Sequence, residues 1–247
     1  MGRYMEDQSL IVLPCYCMDS YEKAVERILL QAPVTKLEIH DFPYFELSLL
    51  NTVTNCTDQL QEFTAYDMSF EGFSSEFWKR FWSTLPNLHK VGLYGVRSSP
   101  CSLDEVLLEL VMAQELNELT ISNSEVATAS NCISDIVLIA LSKNCHKLIN
   151  FDCEGNHSVT NKGIEVLVDA LLAAPFSATR RTVSMTGVNV DRLQFWYKFK
   201  LHLKPMKFVS EYSIQTVEMN PTDDDMSLVE MFENRRLLVE FISDDDV

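Results

Sequence analysis

Glycine and proline are scarce in this chain, seven and eight among 247 residues. That is below ordinary usage, which excludes collagen-like, linker-like and low-complexity classes. Basic residues are also in deficit, with 20 Lys and Arg against 36 Asp and Glu and a formal charge of −16. Such a surface repels phosphate backbones and anionic bilayers, so nucleic acid is a poor default partner. Long apolar runs are missing. The longest clean one, Ile136 to Leu141, falls far short of the ~20 residues of a helical membrane span. Ahead of the short apolar stretch Leu10 to Leu13, Glu6 and Asp7 stand where a secretory signal carries positive charge, so this is expected to be mature sequence.

Signatures of chemistry are lacking too. There is no G-x-S-x-G, no glycine-rich phosphate loop and no H-E-x-x-H, so no enzymatic activity is expected. The seven cysteines, Cys15, Cys17, Cys56, Cys101, Cys132, Cys145 and Cys153, are odd in number and include no C-x-x-C pair. A disulfide framework and a zinc ribbon are both disfavoured, and a reducing compartment, cytoplasmic or nuclear, is expected. A metal set drawn through Cys145, His146, Cys153 and His157 has suitable donors, but its spacing fits no structural zinc motif. No metal or cofactor is expected.

What the chain does contain is a repeated register. In Asn144 to Pro175, Leu148, Phe151, Cys153 and Asn156 occupy positions 1, 4, 6 and 9 of an L-x-x-L-x-L-x-x-N pattern. A helix follows, with Thr160 as its N-cap and Ile164, Leu167, Val168, Leu171 and Leu172 on one face. The same register starts at Val34, Leu60, Leu88, Leu116, Leu148 and, more weakly, Arg180, at intervals of 26, 28, 28, 32 and 32 residues. Positions 4 and 6 read Leu37/Ile39, Phe63/Ala65, Val91/Leu93, Leu119/Ile121, Phe151/Cys153 and Val183/Met185, nearly all apolar. The asparagine of position 9 recurs nowhere else.

The unit resembles a leucine-rich repeat of the cysteine-containing subtype, which carries a Cys just ahead of the first Leu (Cys145) and a T-x-x-G-I start to its helix (Thr160, Gly163, Ile164). The resemblance implies an α/β leucine-rich-repeat solenoid with an inner, mostly parallel sheet, outer helices and terminal caps, since one unit cannot bury its own apolar face. The division expected is an N-terminal cap over 1–33, divergent repeats over 34–204, and a C-terminal cap with an acidic tail over 205–247. Repeats of this kind are similar to those of F-box substrate receptors of ubiquitin ligases, which implies substrate recruitment. The chain departs from that family in having too little sequence before Val34 for the F-box helices.

Between the strands, Ser102 with Glu105 has the form of a capping box, as does Asp19 with Glu22. Phe73, Phe77 and Phe81 with Trp78 and Trp82 make two aromatic rows at helical spacing. Asp191 to Leu203 reads as helix, Met206 to Gln215 as a doubtful strand, the stretch after Asp225 as helix to Arg235, and Leu237 to Ile242 as strand. Charge is segregated at this end: seven basic residues and one acid lie between Arg180 and Lys207, then eleven acids and two arginines between Glu211 and Val247.

The expected function is a non-catalytic scaffold for a protein partner. With positions 4 and 6 inward, positions 5 and 7 face out, and position 7 should form a ridge of His40, Tyr66, Tyr94, Ser122 and Glu154. Gly92 is expected to leave an opening beside Tyr94, with Glu38, Asp41, Asp67 and Asp152 around the ridge. A partner carrying aromatic and basic residues would suit it. The alternative is RNA binding through residues 180–207, where Arg192, Lys198, Lys200, Lys204 and Lys207 interleave with Phe195, Trp196, Tyr197 and Phe199. A buried helix face is the stronger explanation of those aromatics, and the acidic stretch next to them could neutralise the lysines.

Overall fold

Alternation of apolar and polar residues over five positions makes a strand with one face to bury. The computed structural model describes residues 10–14, 34–40, 58–123, 133–155, 158–174, 181–186, 191–199, 207–210, 213–216, 228–232 and 237–242. In chain order the elements are β1 Leu10–Pro14, β2 Lys36–His40, β3 Glu62–Tyr66, β4 Ser69–Phe73, α1 Ser75–Ser83, β5 Lys90–Tyr94, β6 Arg97–Pro100, α2 Leu103–Ala113, β7 Glu118–Asn123, α3 Asp135–Asn144, β8 Asn150–Gly155, α4 Asn161–Ala173, β9 Arg181–Thr186 and α5 Arg192–Phe199. Four strands close the chain: β10 Lys207–Ser210, β11 Ser213–Thr216, β12 Leu228–Phe232 and β13 Leu237–Ile242.

Nine strands form one sheet in the order β1-β2-β3-β5-β7-β8-β9-β13-β12, and every neighbouring pair but the last is parallel. Each of β2, β3, β5, β7, β8 and β9 pairs with the next without a slip. Leu37 lies opposite Phe63, then Val91, Leu119, Phe151 and Val183 follow across the sheet. The twelve residues of register positions 4 and 6 are all buried, and so are Val34, Leu60, Leu88, Leu116 and Leu148 of position 1. Cys153 belongs to this set, and Cys145 packs at the foot of the same unit. Arg180 and Asn156 fall outside the described residues, as do the predicted helix after Asp19 and Asp41.

The helices bury one face each against the same side of the sheet, joining the strands in a single core. Their starts are set by side chains. Ser102 and Glu105 form the expected capping box, and Thr160 accepts from Lys162 N at the head of α4. Each helix also grips the next. Asp104 of α2 accepts from the backbone and hydroxyl of Ser134, the N-cap of α3. Asp135 of α3 accepts from Thr160 N at 2.8 Å and Oγ1 at 2.6 Å. Asn161 of α4 exchanges two hydrogen bonds with the backbone of Asp191, whose carboxylate caps α5. This interlock accounts for Gly163: a Cβ there would lie inside contact distance of Asp135 Oδ1 and 3.0 Å from Asp135 Cα.

Backbone bonds repeat with the register. The position-2 carbonyls of Thr35, Gln61, His89 and Asn117 each accept from two successive amides of the following strand's approach. At position 8 the chain leaves the strand through the left-handed region, at Asp67 (φ 51°), Gly95 (φ 62°) and Gly155 (φ 99°). Glycine or a short polar residue is needed there.

Three expectations are corrected. The doubtful strand over Met206 to Gln215 is instead an antiparallel hairpin of β10 and β11. The helix expected up to Arg235 is a strand, β12, because pairing along β13 satisfies its backbone better than a lone helical turn would. Phe73 is not part of the first helix but ends β4, which pairs with β6 in a small parallel sheet the register did not predict. Its ring still stacks on Phe77 at 4.5 Å. The apolar stretch at Leu10 lies in strand β1, set parallel against β2. At the other end β13 adds parallel to β9, with Leu237 and Val239 buried, so the C-terminal region continues the sheet.

Candidate functional site

The sheet's second face, away from the helices, presents positions 3, 5 and 7 as parallel columns. Parallel pairing without slip puts equivalent residues about 4.8 Å apart. The position-7 column runs His40, Tyr66, Tyr94, Ser122, Glu154, as the register requires. Its rings are packed as plates on edge: His40 on Tyr66 at 4.3 Å and 13°, Tyr66 on Tyr94 at 4.7 Å and 11°. All three side chains are partly exposed. His40 Nε2 lies 3.6 Å from Glu38 Oε2. Burial, followed by the neighbouring Tyr94 and Glu38, raises the Tyr66 hydroxyl above its ordinary pKa, so the phenol is neutral at physiological pH.

The opening expected at Gly92 is filled. Gly92 is buried under the Tyr94 ring, and a Cβ on it would stand 2.9 Å from Tyr94 Cε2 and 3.1 Å from Thr64 Cγ2. The absent side chain lets the tyrosine lie down on its own strand.

Past Tyr94 the column changes character. Ser122 Oγ donates to Glu154 Oε2 at 2.8 Å. Beside them Asp152 is half-buried, and desolvation raises its pKa against the lowering effect of a hydrogen bond from Ser184. Among the described residues no Lys or Arg pairs with Asp152 or Glu154. Asp67 stands apart from the ridge: it is the left-handed residue at the strand exit, its amide donates to Tyr94 O, and its carboxylate lies beside Gly95.

The position-3 column was missed at the sequence level, although alternation would have found it. It carries Lys36 bound to Glu62 at 3.0 Å and Lys90 bound to Glu118 at 2.8 Å. The hydrogen bond it donates to Glu118 is the main reason the Lys90 pKa is raised. Both lysines are therefore neutralised within the face, and Glu38, Asp152 and Glu154 leave it acidic.

The other candidate sites are placed elsewhere. Cys145 donates to Gln114 O at 3.6 Å, and burial pushes its thiol up to about 11. Cys153, almost wholly buried, is raised further by the same cause. His146 is exposed and His157 lies outside the described residues. Among the described residues no group of three or more His, Cys, Asp or Glu could hold a metal ion. In the basic aromatic segment, Phe195 and Phe199 are core residues and Arg181 is buried, donating to Leu171 O at 2.8 Å. Lys198 is held by Glu165 at 3.0 Å and Asp169 at 2.8 Å. Lys200 and Lys204 lie outside the described residues.

No protein-family model matches the chain, and the search of the curated proteins returned no match. Among the described residues no helix is long and apolar enough to cross a membrane.

Proposed function

We propose that the chain is a leucine-rich-repeat solenoid acting as a non-catalytic protein-interaction scaffold, with its partner on the concave face of the sheet along the position-7 ridge. The observation that carries this reading is the in-register stack of His40, Tyr66 and Tyr94 on the face the helices leave uncovered. Sheet residues that only solubilise a surface are usually short or charged, whereas rigid, partly exposed aromatic rings offer large contact area at low entropic cost. The acidic surroundings favour a partner with basic residues. Recruitment of a substrate to a ubiquitin ligase, as in the receptors whose repeats this register resembles, would use such a surface.

The test is the double variant Tyr66→Ala/Tyr94→Ala, compared with wild type by circular dichroism and by quantitative affinity recovery of partners from a cell extract. A folded double variant should lose its principal partner. Unchanged recovery would move the interface to the helices or the acidic tail.

A further inference from the structure

The ring stack stops at a particular place. His40, Tyr66 and Tyr94 occupy three consecutive strands, and the next residue in the column is Ser122, too short to continue the stack. One face of the Tyr94 ring therefore looks along the column over Ser122. The strand after that carries Glu154, whose carboxylate is drawn toward Ser122 by the 2.8 Å bond from its hydroxyl to Oε2. Oε1 of Glu154 is left to accept. The space over Ser122 is bounded by an aromatic plane on one side and a carboxylate on the other, each about 4.8 Å away along the sheet.

We propose that this slot binds the guanidinium of an arginine in an extended segment of a partner protein. The inference rests on the scaffold reading above and names the chemistry that reading leaves open. A guanidinium is planar, so it can add one more plate to the stack, within the ~6 Å at which a cation is attracted to a ring face. Its fork of N–H donors can meet the free oxygen of Glu154 at the same time, which a lysine ammonium, a point charge without a plane, cannot do. Charge complementarity agrees: Lys36 and Lys90 are consumed by Glu62 and Glu118, while Asp152 and Glu154 bring two carboxylates to this end with no cation among the described residues.

The experiment is selection of a displayed library of random 12-residue peptides on the full chain, followed by affinity measurement of synthetic peptides on three variants checked by circular dichroism. Enriched peptides should share an arginine, and replacing it by lysine should weaken binding about fivefold, as should Glu154→Gln, the scale of a partly exposed charge contact. Ser122→Tyr, which fills the slot with a ring, should weaken binding by more than about tenfold. Should that variant fail to fold, Glu154→Gln and the lysine peptide carry the test. The slot is overturned if enriched peptides lack arginine or keep full affinity for Glu154→Gln and a folded Ser122→Tyr. If those same peptides are lost on Tyr66→Ala/Tyr94→Ala, the scaffold reading survives. Failure to enrich any peptide also overturns the slot, and partner recovery then decides the scaffold reading by itself.

Discussion

Single residues in this chain are constrained by neighbours one unit away more than by their own segments. Gly163 illustrates this. In an isolated helix Gly→Ala gains about 1 kcal/mol. Here Asp135 reaches across from α3 to hold the N-cap of α4, and a Cβ at 163 would stand 3.0 Å from its Cα. Overpacking against backbone costs about 1–3 kcal/mol, so the clash wins and Gly163→Ala should lower the melting temperature. Repeating the substitution in an Asp135→Ala background should cost less, because the carboxylate contact is gone; equal losses in both backgrounds would deny the coupling. The cysteines are governed in the same way. Thiol titration of the denatured chain without reductant should count seven free groups, and five or fewer would reveal disulfides. Burial raises Cys145 from an ordinary 9 to about 11, so its folded form binds the proton more tightly than the unfolded chain does. The sign follows: that contribution is intact below about pH 9 and is lost as pH rises toward 11. Denaturation midpoints should fall through this window, and less steeply in Cys145→Ala.

At the scale of elements, Leu119 at position 4 lies within a strand and Leu148 at position 1 at the approach to one, and both are fully buried. Truncating either to alanine should cost about 2–5 kcal/mol, the range for a core cavity, measurable as a drop in thermal melting. A variant melting within a degree or so of wild type would mean its side chain is not in the core. These positions were legible in the sequence because strand alternation and helical spacing each leave a period that survives divergence. Positions 4 and 6 lie in the core in every described unit, and from them the order of the position-7 column followed. What was not legible has local physical causes. β12 was misread because Leu228 to Phe232 carries no alternation that forbids a helix, and only the long-range partner β13 selects the strand. β4 and β6 lie outside the main sheet and pair with each other, so the register of the main sheet gave no sign of them. The Gly92 opening failed because a missing side chain was read as space, whereas Tyr94 occupies it. Ser122 gave no warning of its bond to Glu154, since a serine on a strand carries no pattern of its own.

On the scale of the whole molecule, the sheet is one continuous array in which each strand is stabilised mainly by the two beside it. Stability in such an array is close to a sum of unit and interface contributions, and an end that is removed exposes the core of the unit it covered. The C-terminal end makes this concrete. Val239 lies opposite Val183 and Leu237 opposite Arg181, and both apolar side chains are fully buried. Deleting everything after residue 204 would strip them from the core and leave β9 as a bare edge, with its parallel row of amides and carbonyls open to another chain. Each fully buried side chain of this size is worth about 1.5–3 kcal/mol in hydrophobic transfer alone, so the loss is a large part of the stability of an ordinary domain. The truncated chain should melt well below the full one and should associate in a concentration-dependent way by light scattering, while removal of residues 243–247, which lie after β13, should leave both measurements unchanged. A truncation at 204 that stays monomeric and melts with the full chain would place the true end of the cooperative sheet at β9. The difference between the two deletions separates the loss of β10 to β13 from any effect of the terminal aspartates, because those aspartates are absent from both and only the longer deletion removes the strands.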